Sequence, residues 1–179
     1  MAHKVERVLI SRQEIETVVS SLAAKITKDY QGKELVVIGV LKGSFIFMAD
    51  LVRQIDLPMI IDFMSVSSYY GGTKSSGIVK IIKDLDIDIG GRHVLIVEDI
   101  VDSGLTLLNL KEMLMTRNPA SLRVCAAFDK PDRRKAVITA EYTGMQIPDA
   151  FIIGYGLDFD GMYRNLPDVC VLSIDGGNE

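Results

Sequence analysis

The chain has 179 residues, 48% of them hydrophobic and 25% charged, with a formal net charge of −4 at pH 7. That length supports one domain with a substantial core, and the balance is that of an ordinary globular protein. The acidic balance argues against a nucleic-acid binder. The charged N-terminus holds no signal-peptide core and no apolar run could span a bilayer, so the expectation is a cytoplasmic protein with neither nucleic acid nor membrane as partner.

In chain order, Ser11-Arg12-Gln13-Glu14 forms a capping box. Ile15, Val18, Val19, Leu22, Ala23 and Ile26 follow at helical spacing until Gly32. Residues 34–40 predict a buried strand, and Ser44 to Ile55 a helix ending ahead of Pro58. Residues 59–66 and 78–83 predict two strands around a polar loop. A strand over 93–97 and a helix from about Leu105 to Met115 come next, then strands over 122–128, 150–154 and 169–173. Cys125 and Cys170 sit inside two of these runs without a Cys-x-x-Cys spacing. They read as buried thiols of a reducing compartment, and His3 and His93 offer no metal spacing.

The alternation of strands and helices predicts an α/β fold, a mostly parallel sheet covered by helices on both faces. The 59–83 section breaks that alternation and suggests an antiparallel hairpin or flap. Residues 156–179, rich in Gly, Asp and aromatics, suggest a small cap. No repeat, low-complexity tract or linker divides the chain, so a single domain over residues 1–179 is expected.

The most informative stretch runs from Val94 to Thr106, Val-Leu-Ile-Val-Glu-Asp-Ile-Val-Asp-Ser-Gly-Leu-Thr. Four apolar residues predict a strand, with Glu98 and Asp99 where it ends, and ligands of open α/β sheets bind beyond such ends. Asp102 opens a short turn through Ser103 and Gly104 to Leu105 and Thr106, where a helix begins. Gly allows successive N–H groups to aim inward, Ser and Thr add hydroxyls, and the helix N-terminus adds partial positive charge. The turn thus offers carboxylates for a cation or sugar hydroxyls beside donors for a phosphate. The plainer alternative makes Asp102 an N-cap and the acids solvated strand-end residues.

Leu41-Lys42-Gly43-Ser44 again joins a buried strand to a helix and suits an anion, although the Walker pattern is absent; an ordinary strand-to-helix turn is the alternative. Ser68 to Gly77 is a polar, Gly- and Ser-rich stretch that reads as a hairpin loop or a lid. Lys130 precedes Pro131 and by itself would be a surface lysine. Phe151, in Ile-Pro-Asp-Ala-Phe-Ile-Ile-Gly-Tyr-Gly-Leu-Asp (147–158), would be a plain core aromatic, and Arg164 a surface charge.

Residues 94–106 resemble the phosphoribosyl pyrophosphate signature of the type I phosphoribosyltransferases, and residues 147–158 resemble the hypoxanthine-guanine branch of that family. The likeness covers roughly residues 5–175, with Leu105 as one departure where some members carry lysine. It implies the type I phosphoribosyltransferase fold with a flexible flap at 67–77 and a C-terminal hood at about 156–179. By the same resemblance, Asp102, Ser103, Gly104, Leu105 and Thr106 hold the 5′-phosphate. Glu98 and Asp99 approach the ribose hydroxyls directly or through Mg2+. Lys42, Gly43 and Arg164 contact pyrophosphate, and Ser68 and Tyr69 belong to the flexible catalytic loop. Lys130 donates to the purine 6-oxo group, Phe151 stacks on the base, and backbone groups near Ile152 read its edge. Asp158 borders the purine site and helps bind a second magnesium.

The implied reaction is transfer of 5-phosphoribosyl from phosphoribosyl pyrophosphate to N9 of hypoxanthine or guanine, giving IMP or GMP and pyrophosphate, with Asp102 as general base at N7. A lid over the site would keep water from a cation-like transition state. A homo-oligomer, dimer or tetramer, is expected by the same resemblance. The rival from another class is a phosphoribosyl pyrophosphate-binding regulator of the same fold. A pyrimidine enzyme that doubles as an RNA-binding attenuator would lack the Lys130 and Phe151–Asp158 pocket, and a phosphoribosyl pyrophosphate synthetase would be longer.

Overall fold

The computed structural model describes residues 3–68 and 79–174. Its central strand is β2 (Leu35–Leu41), in which every residue to Val40 is buried, as a strand covered on both faces requires. It pairs in parallel with β3 (Met59–Ser68) on one side and β5 (His93–Val101) on the other. Beyond β5 lie β6 (Ser121–Asp129) and β7 (Tyr142–Gln146), both parallel, while β4 (Val79–Lys83) runs antiparallel along β3. The sheet order is β4-β3-β2-β5-β6-β7. The antiparallel hairpin expected over 59–83 is therefore present.

Side chains alternate across a strand, and the two faces carry separate cores. Leu35, Val37, Leu95, Val97, Cys125 and Ala127 pack under α1 (Arg12–Asp29) and α2 (Phe45–Val52). Val36, Ile38, Val94, Ile96, Val124 and Ala126 pack under α3 (Leu105–Met115). The capping box at Ser11 and Glu14 is formed in both directions, and α1 ends ahead of Gly32, whose φ is +74°. α2 stops at Val52, short of the expected Ile55, although Gln54 and Ile55 both still donate to the Leu51 carbonyl. Gly39 lets α2 approach the sheet: a Cβ there would lie 2.3 Å from the Met48 sulfur.

The last strands lie in a separate three-stranded sheet. β9 (Val169–Ile174) pairs antiparallel with β1 (His3–Ile10) and with β8, which spans only Ile152–Ile153 rather than 150–154. The cap therefore contains strands from both ends of the chain. β1 hides from pattern reading because register shifts between Val5 and Arg7 and between Val8 and Ile10 break its period of two, and Val5 and Val8 are exposed. β7 hides because it is a polar edge strand around Gly144, where a Cβ would meet the Ala127 carbonyl at 2.4 Å. Both cysteines are free and buried. Among the described residues, no helix is long and apolar enough to cross a membrane.

Candidate active site

β5 does not end at Val97. β6 continues beside it and pairs Glu98 with Ala126, Ile100 with Phe128 and Val101 with Asp129, whereas the β2 register stops at Gly39 and Val97. Glu98 and Asp99 are thus strand residues with one open side, and successive residues on a strand face opposite ways. Glu98 lines a cavity of about 220 Å³ with Asp102, Ser103, Gly104 and Thr106. Asp99 lies against Gly43 on the other face. Both carboxylates are enclosed by protein on most sides while keeping some solvent contact. Burial pushes Glu98 well above the usual carboxylate range, and the Asp99 charge adds to it. Burial also pushes Asp99 up to about 6, opposed by hydrogen bonding to backbone N–H groups and by the Arg164 charge.

The turn after β5 settles the N-cap alternative for Asp102. α3 is capped by Gly104 at φ +77°, with no side-chain cap bond. The Asp102 Oδ1 atom is buried and has no hydrogen-bond partner among the described residues. An unsatisfied buried carboxylate oxygen is costly in an ordinary turn and suits one that waits for a ligand proton. Gly104 is required twice, by its positive φ and because a Cβ would sit 2.6 Å from the Ile138 side chain.

Two further segments meet at Asp99. The Leu41–Lys42 peptide is cis, and Lys42 is exposed. A Cβ on Gly43 would lie 1.6 Å from Asp99 Oδ2, and a Cβ on Gly156 would lie 2.1 Å from the Gly43 carbonyl oxygen. Arg164 completes the group: Nη2 pairs with Asp158 at 2.7 Å and Nη1 donates to the Gly156 carbonyl at 2.7 Å. Lys42, Gly43, Asp99, Asp158 and Arg164 are therefore gathered from parts of the chain more than a hundred residues apart.

Lys130 is a buried residue, not a surface one. Its backbone N–H donates to the Val101 carbonyl at 2.9 Å and its ammonium to the Ala150 carbonyl at 2.6 Å, so it ties the end of β6 to both the β5 turn and the segment before Phe151. Phe151 is 46% exposed, edge-on to Phe159 at 5.5 Å, which leaves it free of the core. Ile152 is buried in β8. Ser68 closes β3, and Tyr69 with the rest of the expected loop lies outside the described residues.

Glu98, Asp99 and Asp158 do not converge as one cage. Among the described residues, no three His, Cys, Asp or Glu side chains gather for a metal ion. Their hard oxygen donors suit Mg2+, which binds through one or two carboxylates and completes its shell with water and substrate oxygens. A separate hollow of about 370 Å³ between α1, α2 and residues 165–167 has its charges already paired, Arg12 with Glu16 and Arg53 with Asp50.

A mostly parallel sheet with a Gly-containing turn and acidic residues at the carboxyl end of β5, beside a small antiparallel sheet of β1, β9 and β8, is the architecture of an α/β enzyme that binds its ligand at the strand ends. Residues 9–160 match the phosphoribosyl transferase domain model, and the chain belongs to the phosphoribosyltransferase family, in its hypoxanthine-guanine branch. It is 50% identical over 172 residues to a hypoxanthine-guanine phosphoribosyltransferase of Staphylococcus aureus, covering 96% of each chain. It is 52% identical to that of Bacillus subtilis, again over 96% of each. A crystal structure of a Staphylococcus aureus hypoxanthine phosphoribosyltransferase superposes with a TM-score of 0.92 at 50% identity, covering 94% of this chain and 92% of that one. A Trypanosoma cruzi hypoxanthine phosphoribosyl transferase gives 0.90 at 45% identity, covering 94% and 92%.

Proposed function

We propose that this protein transfers the 5-phosphoribosyl group of phosphoribosyl pyrophosphate to N9 of hypoxanthine, and of guanine, giving IMP or GMP and releasing pyrophosphate: a purine-salvage transferase. The observation that supports this reading is the buried Lys130, whose backbone N–H donates to the Val101 carbonyl, next to the Asp102 turn, and whose ammonium donates to the Ala150 carbonyl, next to Phe151. Relatives named for this activity match over nearly the whole chain.

In this reading the 5′-phosphate rests on the N–H groups and hydroxyls of Asp102 to Thr106. Glu98 and Asp99 orient the ribose hydroxyls, and Lys42, Gly43 and Arg164 receive the pyrophosphate. The base lies on the exposed ring of Phe151. The Lys130 ammonium donates to its 6-oxo oxygen and would face the amino group of adenine instead, a mismatched pairing that discriminates strongly. Asp102 accepts the N7 proton as the N9 bond forms, through the carboxylate whose Oδ1 has no other partner among the described residues. Glu98, Asp99 and Asp158 would hold Mg2+, which when bound neutralises the leaving pyrophosphate.

Residues 1–179 act as a single domain. The protein works in the cytoplasm as a homo-oligomer. In the Trypanosoma cruzi relative, the C-terminal region has been studied for its role in oligomeric state and enzymatic activity. Light scattering would read the assembly directly.

The test is an ultraviolet assay with phosphoribosyl pyrophosphate and magnesium against hypoxanthine, guanine, xanthine, adenine and uracil. Nucleotide from 6-oxopurines alone, abolished by chelator, is the expected result. Tight phosphoribosyl pyrophosphate binding with no product from any base would overturn it in favour of the regulator.

A further inference from the structure

The structure assigns Arg134 as the positioning residue of the phosphate turn, an inference that rests on the transferase reading for its consequence but on geometry for its substance. Arg134 lies just past a short 3-10 helix (Pro131–Arg133), in a segment with no motif of its own. Its guanidinium is largely covered, with the side chain 18% exposed, and it makes every one of its bonds to the turn or to what flanks it. Nε donates to the Asp102 carbonyl at 3.0 Å and Nη2 to the Val101 carbonyl at 3.2 Å. Nη1 donates to the Ile138 carbonyl at 2.6 Å, and Nη2 also pairs with the Asp129 carboxylate at the end of β6.

The neighbours of Arg134 extend the brace. Lys135 and Ala136 both donate their N–H groups to the Ser103 carbonyl, at 2.9 and 3.1 Å. The Arg134 Cδ and the Ile138 side chain lie 3.1 and 2.6 Å from where a Cβ on Gly104 would be. Three successive carbonyls, Val101, Asp102 and Ser103, are thus pulled outward, toward residues 134–136. A peptide whose carbonyl is held on one side presents the following N–H on the other. The brace therefore turns the N–H groups after Val101 toward the cavity, the orientation an anion needs. It also fixes the backbone that carries the Asp102 carboxylate. A planar, five-donor fork is the side chain suited to hold two carbonyls and a carboxylate at once, and lysine is not its equal.

Arg134 touches no substrate in this account. Its loss should displace the turn, and small misplacements of a phosphate cradle are costly. Because Arg134→Met strands the Asp129 carboxylate, the test adds the double variant Arg134→Met with Asp129→Leu, which removes both partners of the buried pair and recovers thermal stability. Ribose 5-phosphate affinity is measured by calorimetry well below each variant's unfolding midpoint. Affinity should weaken at least about tenfold in the single and the double variant, and less in Arg134→Lys. In turnover, KM for phosphoribosyl pyrophosphate should rise while KM for hypoxanthine stays put. Wild-type affinity for ribose 5-phosphate in the folded double variant would overturn the inference and leave Arg134 a stabilising ion pair. A wild-type protein that binds ribose 5-phosphate but makes no nucleotide would sink the transferase reading, while the affinity comparison would still decide the role of Arg134.

Discussion

The Asp99 carboxylate occupies the space that a side chain on residue 43 would fill, with Oδ2 only 1.6 Å from the Cβ position of Gly43. The loop carrying Lys42 and the strand carrying the acids are therefore in backbone-to-carboxylate contact, and glycine is what permits it. Gly43→Ala should drive Asp99 out of place. Overpacking of this kind costs about 1–3 kcal/mol, and the displaced carboxylate should lower kcat/KM about 100-fold. Adding Asp99→Ala should restore the thermal midpoint without restoring activity, because the steric conflict disappears but the carboxylate does too. A Gly43→Ala enzyme of normal stability and rate would show that the contact relaxes freely.

Much of this site is legible in the chain because its parts are local. The turn from Asp102 to Thr106 and the loop at Lys42 each lie between a buried strand and a helix, and hydrophobic runs betray both. What escapes is what depends on long-range contact. The partition of Glu98 and Asp99 onto opposite faces needs β5 to run on to Val101, and only β6 pairing shows that it does. Gly156 meets Gly43 across more than a hundred residues. β1 is obscured by bulges, and Arg134 sits in a basic stretch where nothing in composition separates it from the exposed Arg133.

Lys130 is the residue whose substitution should separate the two substrates. Its ammonium is buried, so it is held in place rather than free to roam, by the Ala150 carbonyl at 2.6 Å. Hydrogen bonds to charged groups contribute about 1.5–3 kcal/mol, so Lys130→Ala should raise KM for hypoxanthine about 10- to 100-fold. Phosphoribosyl pyrophosphate affinity should hold, since the bond from the residue 130 backbone to Val101 survives the change. Steady-state kinetics with each substrate varied in turn reads both. Equal losses for the two would mean a general electrostatic or folding effect.

Asp99 should leave a signature in pH-dependent stability. Its folded-state value of about 6 exceeds the ordinary 3.8, so the folded chain binds this proton more tightly than the unfolded chain between those values. Stability from this group is then highest at low pH and falls as pH rises through about 6, the reverse of a salt-bridged carboxylate. Asp99→Asn removes the titration. In chelator, the urea midpoint of Asp99→Asn relative to wild type should climb from about pH 4 to about pH 6.5 and then level off. A gap that does not change with pH would mean that Asp99 is not strained by burial.

Asp102 offers the sharpest test of chemistry. Its Oδ1 is buried and has no partner among the described residues, while the backbone carbonyl of the same residue is held by Arg134. Asparagine keeps the size and the backbone but cannot take a proton. Asp102→Asn should therefore leave ribose 5-phosphate binding and the fold intact and lower kcat by about 10²- to 10⁴-fold, the range for general bases, with little change in KM. The loss should be in the chemical step, so single-turnover rates should fall in parallel with kcat. If kcat is unchanged, the proton leaves N7 by another route. If KM rises as much as kcat falls, the carboxylate serves binding rather than proton transfer.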